Sequence, residues 1–301
     1  MKRENGARIM GLFVSFLWGL SFLSIKVALG ALPPMTLAFA RFLISVAILP
    51  LIAALMRESL RIRLRDLPLL SLGGLVGVTF YFACENSGVQ LLSASEASLI
   101  IGVIPVATML AERVFLKTRL RFRSYIGAIL SFAGVALIAA RSPGAVSSPM
   151  GFVYMVGAAL SWVVYSFVTK PLSASYGRVC ITFWQSAAGL AGFVPFMFAE
   201  HPRLGVLGPA IWLNVLFLGI FCSAIGFWFY IVSLDVLGAG PSSAFINLIP
   251  VVSVVAAYFI LGDRLNALQL AGGAAAVIGV YLATASAGPR EQSRREASRG
   301  S

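Results

Sequence analysis

The sequence predicts an all-α integral membrane protein of about ten transmembrane helices, arranged as a 5+5 inverted-topology repeat. Three observations carry this. Hydrophobic residues make up 59% of the 301 and charged residues only 11%, whereas a soluble domain carries charge on about 25% of its residues. Ten apolar runs approach the roughly 20 residues that cross a hydrocarbon core. The second half of the chain also repeats the first at a nearly constant offset.

Taken in order, the predicted spans are 8–29, 35–56, 68–90, 94–115, 122–141, 150–171, 179–199, 209–234, 240–261 and 266–286. The first is preceded by Lys2 and Arg3, as in a secretory signal, but its apolar run from Met10 to Leu29 is long. Lys26 and Pro33-Pro34 stand at its end instead of a small-residue cleavage pattern, so an uncleaved span is expected. The connections are short and leave no room for a sizeable soluble domain. The stretch from Gly288 to Ser301 is polar and basic, and is expected to be a disordered tail.

Basic residues mark one side. Lys2, Arg3 and Arg8 precede the first span. Arg57, Arg61, Arg63 and Arg65 join the second to the third. Arg113, Lys117, Arg119, Arg121 and Arg123 join the fourth to the fifth, and Arg290, Arg294, Arg295 and Arg299 follow the last. With ten spans all of these lie on one face. The positive-inside rule makes that face the cytoplasm, so both termini are expected inside, in a plasma (inner) membrane. The net charge of +12 is therefore a topological signal, and no nucleic-acid partner is expected.

The repeat is visible in residues that apolar composition does not produce by itself. At an offset of 145, Ser98 meets Ser243, Ile104-Pro105 meets Ile249-Pro250, Gly127 meets Gly272, and Gly134-Val135 meets Gly279-Val280. Gly74 meets Gly219 and Phe82 meets Phe227 at the same offset, while Trp18 meets Trp162 and Lys26 meets Lys170 at 144. Five spans per half is an odd number, so the second half enters from the opposite side. The halves are expected at 1–145 and 146–287, with the tail at 288–301. Inverted repeats of this kind typify secondary transporters.

Other classes find little support. Cys84, Cys180 and Cys222 lie in apolar stretches without a CxxC spacing, and His201 is the single histidine. Neither a disulfide framework, a metal site nor a cofactor is expected. No GxxxxGK[ST] run offers ATP hydrolysis. A membrane-embedded enzyme would need a clustered nucleophile or paired acids at the membrane face, and none stands out, so no catalytic residue is assigned. A channel remains an alternative that duplicated, interrupted helices favour less than a carrier.

Particular motifs resemble a known group. Trp18-Gly19-Leu20-Ser21-Phe22, Lys26, Pro34 and Ala40-Arg41-Phe42, then Ser95–Pro105 and Gly127…Gly134-Val135, resemble the EamA-like drug/metabolite transporter superfamily. The second half repeats the pattern through Pro241–Pro250, Ile260-Leu261-Gly262-Asp263-Arg264-Leu265 and Gly279-Val280. The resemblance implies ten helices, a central cavity, and export or exchange of amino acids, related metabolites or toxic compounds. Members often carry Glu after Leu-Gly at the ends of the fourth and ninth spans. Here those positions hold Thr118 and Asp263, so only the second half keeps an acid.

Candidate binding residues follow from helical spacing and from the repeat. Trp18, Ser21 and Phe22 share one face, which Trp162, Tyr165 and Ser166 repeat. Tyr81 and Glu85 share a face of the third span, as do Phe227 and Tyr230 on the eighth, with Trp228 adjacent. Ser98, Ser243 and Asn247 add polar groups near the two prolines. An aromatic cage would suit an organic cation or an apolar side chain; the alternative is aromatics that pack against lipid. Lys26, Arg41, Glu85 and Glu96 form a candidate outer gate or coupling set, with Glu85 a candidate proton carrier. The alternative is helix-end charges that fix packing. Pro105 and Pro250 are candidate hinges. The expected partners are a small-molecule substrate, the lipid bilayer and protons as a coupling ion; a monomer is compatible with this reading.

Overall fold

The computed structural model describes residues 2–115, 117, 122–140, 148–201, 208–238, 242 and 245–284. Among them the chain is all-helical, without strands. The helices are α1 (Lys2–Ala28), α2 (Pro34–Leu55), α3 (Leu64–Leu91), α4 (Ala94–Phe115), α5 (Phe122–Ala140), α6 (Pro149–Leu172), α7 (Arg178–Glu200), α8 (Pro209–Leu237), α9 (Leu248–Ile260) and α10 (Ala267–Thr284). Seven are long and apolar enough to cross a membrane; α5, α9 and α10 are shorter apolar helices. Together they make the ten that the sequence predicts. Both the predicted tail at 288–301 and the predicted boundary at 145/146 lie outside the described residues.

Local sequence explains where the helices begin. Pro34, Pro149 and Pro209 sit in first turns, where the missing N–H is no loss. Glu200, at the end of α7, accepts from the backbone N–H of Met35 and Thr36 at 2.9 and 2.7 Å and so caps α2. Ser93 and Glu96 form a reciprocal capping box on α4. The apolar side chains that these helices turn outward include Phe16, Leu51, Phe80, Phe132, Phe196, Leu213 and Phe259. Lipid solvates such a surface; water does not.

The packing carries a pseudo-two-fold relation. Helix α3 packs on α6 as α8 packs on α1, and α2 packs on α8 as α7 packs on α3. The equivalent pairs α2/α7 and α5/α10 pack directly on each other. The α5/α10 crossing explains the repeated Gly-Val pair. A Cβ on Gly134 would lie 2.4 Å from the Gly272 carbonyl oxygen, and one on Gly279 would lie 2.4 Å from the Ser131 nitrogen. Only glycine allows that backbone approach.

Two irregularities repeat as well. Leu75–Phe80 of α3 and Leu218–Ile225 of α8 are π-helical. Helix α4 is interrupted at Gly102 and Val103, just before Ile104-Pro105, and the chain turns at Ile246 and Asn247, just before Ile249-Pro250. Proline supplies no backbone N–H, so regular helical bonding stops near it. The paired interruptions thus accompany prolines at matched positions of the repeat.

Candidate functional site

Helices α1, α2, α3, α4, α6 and α8, with the turn before α9 and its first residues, enclose a central cavity. Its wall is made by Trp18, Ser21, Phe22, Arg41, Tyr81, Phe82, Glu85, Ile101, Ile104, Trp162, Phe227, Ile246 and Ile249. The volume open to the centre of a water molecule is about 20 Å³, room for about one water.

Apart from Phe22, whose counterpart is Ser166, the apolar part of the wall obeys the repeat. Trp18 faces Trp162, and the pairs Phe82/Phe227, Ile101/Ile246 and Ile104/Ile249 all contribute equivalent residues. The indoles of Trp18 and Trp162 meet edge to face, centroids 5.2 Å apart at 86°. Phe227 lies 5.8 Å from Trp18 and 5.5 Å from Trp162. Each indole is anchored: Trp18 Nε1 donates to the Cys222 carbonyl at 3.0 Å, and Trp162 Nε1 donates to the Tyr230 hydroxyl at 3.1 Å. Anchored, interlocked rings form a rigid wall.

The polar part does not obey it. Ser21, Arg41, Tyr81 and Glu85 all come from the first half, and their counterparts are Tyr165, Gln185, Gly226 and Tyr230. The π turn just before Tyr81 rotates the rest of α3 relative to an ideal helix, which sets where Tyr81, Phe82 and Glu85 point. The Tyr81 hydroxyl donates to Glu85 Oε1 at 2.8 Å. Arg41 Nε donates to Ser223 Oγ at 2.9 Å, and its guanidinium carbon lies 4.4 Å from the Phe82 ring centroid. Arg41 is 1% exposed and Glu85 4%. Two buried ionisable groups, one basic and one acidic, thus face one small aromatic chamber.

The other predicted site residues fall into layers. Tyr230 and Ser166 stand behind the cavity wall, bonded to each other at 3.1 Å. Tyr165 fills the space beside Gly77, where a Cβ would meet its ring at 2.0 Å. Trp228 packs in a separate cluster with Leu49, Ala53, Val179 and Ala224. Ser98 donates to the Ser95 carbonyl at 2.8 Å, away from the cavity. Asn247 and Pro250 line a second small pocket with Gly102. Pro105 is buried in α4, and Ser243 lies outside the described residues.

The four predicted gate residues separate into two pairs. Arg41 and Glu85 line the cavity. Lys26 and Glu96 hold helix ends: Lys26 Nζ donates to the carbonyls of Val89, Gln90 and Leu92 at 2.9, 3.3 and 2.6 Å, closing the end of α3. Glu96 Oε1 accepts from Gln269 Nε2 at 2.7 Å, tying α4 to α10. Asp263 accepts from the Ser95 hydroxyl at 3.2 Å in the same layer.

Sequence reasoning missed Phe82, Ser223 and the four isoleucines of the wall. For Phe82, Ile104 and Ile249 the signal was present, since they belong to matched positions of the repeat. Ser223 gave none, because its role depends on the reach of Arg41 across from α2. Among the described residues no cluster of three or more His, Cys, Asp or Glu could hold a metal.

Comparison with known proteins places this geometry in context. The model of the EamA-like transporter family matches residues 6–140 and again 149–285. An uncharacterized transporter of Archaeoglobus fulgidus is 28% identical over 280 residues, covering 91% of this chain and 96% of its own. A protein of Streptantibioticus cattleyicolor described as a probable terminal-alkyne amino-acid exporter is 31% identical over 267 residues, covering 88% of this chain and 89% of its own. A solved crystal structure superposes with a TM-score of 0.70 at 22% identity, covering 94% of this chain and 98% of that one. At that identity the likeness speaks for the fold alone.

Proposed function

The chain belongs to the EamA-like transporter family, and on that premise we propose that it is a secondary active transporter that exports small metabolites by alternating access around the central cavity. The family makes the chain a multi-pass membrane transporter and not an enzyme. The observation that carries the finer reading is the cavity itself. It is walled largely by aromatic and isoleucine pairs at matched positions of the pseudo-two-fold repeat, and receives its ionisable groups from the first half only.

Alternating access needs two conformations of similar stability. An inverted repeat supplies them when its halves exchange shapes. The halves are read as 1–145 and 146–287, and the interruptions before Pro105 and Pro250 are the proposed hinges. The termini are assigned to the cytoplasm and the protein to the inner membrane, from the loop charges. Export of amino-acid-like metabolites is supported by the S. cattleyicolor relative. The ring faces support organic cations and drugs as the other substrate class. Glu85, a buried carboxylate in the cavity, is the proposed proton carrier.

Counterflow in proteoliposomes tests the reading. Vesicles loaded with unlabelled compound take up the labelled form transiently above equilibrium if the protein is a carrier. A channel would only equilibrate the two sides, and that result sinks the proposal. A panel of amino acids and organic cations covers both substrate classes.

A further inference from the structure

Arg41 is incompletely satisfied. Its Nε is used by Ser223, and one ring face of Phe82 covers the guanidinium, but Nη1 is buried without a hydrogen-bond partner. A guanidinium is always charged, and its donors lie in a fixed planar fork. Leaving such a donor unmatched in a dry site is costly.

Packing does not require a cation at this place. The equivalent residue of the other half is Gln185, whose Nε2 donates to Thr169 Oγ1 at 3.0 Å beside Gly73. The neutral amide turns toward its neighbour helix, whereas Arg41 reaches the cavity wall. Gln185 also keeps one unpartnered buried atom, Oε1, but it carries no charge; what sets Arg41 apart is a cation at the cavity wall, and that charge calls for an explanation from the cavity.

Glu85 supplies the complementary half. Its Oε1 accepts from Tyr81, which leaves Oε2 for a second donor. Both charged groups face the same chamber, with Trp18, Trp162, Phe22 and Phe227 around them.

We propose that the cavity selects zwitterionic amino acids with an apolar side chain, the substrate carboxylate docking on Arg41 Nη1 and its ammonium on Glu85. This rests on the transporter reading above and narrows its substrate class. An organic cation would bring a second positive charge beside Arg41, and a simple carboxylic acid would bring a second negative charge beside Glu85. Each adds like-charge repulsion where little water screens it. A zwitterion meets both groups with the opposite sign and brings no net charge into the site. The carboxylate–guanidinium contact is charge-assisted and directional, and the ring wall supplies area for the side chain.

The test compares matched compounds on the purified full-length protein. L-Phenylalanine, phenethylamine and 3-phenylpropionate share one ring, as L-leucine, isoamylamine and 4-methylpentanoate share one branched chain. Binding is read from quenching of tryptophan fluorescence, and transport from counterflow. The wild-type protein is expected to bind an amino acid at least about 30-fold more tightly than its amine or its acid analogue. Arg41→Gln is expected to erase the preference over the amine, and Arg41→Lys to restore part of it. Equal affinity of amine and amino acid in the wild type overturns the inference, and needs no variant that might misfold. So does an amino-acid affinity unchanged in a monodisperse Arg41→Gln protein. In both cases counterflow of the amine leaves the transporter reading standing. Absence of counterflow for the full panel of amino acids, cations and acids contradicts both.

Discussion

Trp18 and Trp162, at equivalent places in the two halves, meet edge to face with ring centroids 5.2 Å apart. Their neighbours follow the repeat less closely. Trp162 bonds Tyr230, and the counterpart of Tyr230 is Glu85, yet Trp18 bonds the Cys222 carbonyl and Glu85 bonds Tyr81. One aromatic axis thus separates a neutral hydroxyl side from a charged side.

Truncating either indole should therefore damage both halves alike. Trp18→Ala and Trp162→Ala are each expected to cost about 3–5 kcal/mol of stability, as for other buried aromatics. The double variant should cost less than the sum, because the rings share one contact. Thermal unfolding in detergent measures this; additive losses would show that the two rings do not act as a unit.

Lys26 should matter more to stability than its counterpart. It closes three carbonyls at the end of α3, whereas Lys170 is exposed. Lys26→Met is expected to cost about 1.5–3 kcal/mol, the scale of a hydrogen bond to a charged group. Lys170→Met should change the unfolding temperature little. Equal shifts would contradict the assignment of Lys26 as an end cap.

The glycine crossing of α5 and α10 gives a structural control. Gly134→Leu and Gly279→Leu place side chains where a Cβ already meets backbone at 2.4 Å, so neither protein should purify as a monodisperse species. Gly6→Ala, with nothing within 4 Å of the added Cβ, should behave as wild type. Size-exclusion elution after extraction reads the difference.

The two carboxylates of the predicted gate set, Glu85 and Glu96, should separate by function. Glu85→Gln is expected to abolish uptake driven by a pH gradient while the protein still elutes as a single species, because it removes the proton carrier proposed for the cavity. Glu96→Gln should lower stability but leave gradient-driven uptake in place, since one amide oxygen cannot accept from both the Ser93 N–H and Gln269 Nε2. Uptake into vesicles with and without an imposed gradient distinguishes them; gradient-driven uptake by Glu85→Gln would end the proposal for proton coupling.

Much of this was legible in the sequence because lipid imposes simple rules. Span length, loop charge and the paired prolines and glycines each report one physical constraint. The helices, their number and the partners Trp18 and Trp162 follow from them. The π turns of α3 and α8 were not legible, since an extra residue in a helical turn leaves the apolar pattern nearly intact. The same holds for the separation of Lys26 and Glu96 from Arg41 and Glu85. All four lie near one end of their helices in sequence, but the chain direction and packing angle decide which reach the centre. Trp228 shows the converse: it neighbours Phe227 in sequence and packs on a different face.

In the proposed mechanism the cavity opens alternately to the two sides of the membrane. The direct measurement places a single cysteine at Ser21 in a chain whose Cys84, Cys180 and Cys222 are replaced. A membrane-impermeant thiol reagent is then applied from one side or the other of sealed vesicles of known orientation. Labelling is expected from either side, blocked by bound substrate, with no leak of small solutes through the unlabelled protein. Labelling from one side only under every condition, or a continuous open path for solutes, would contradict it.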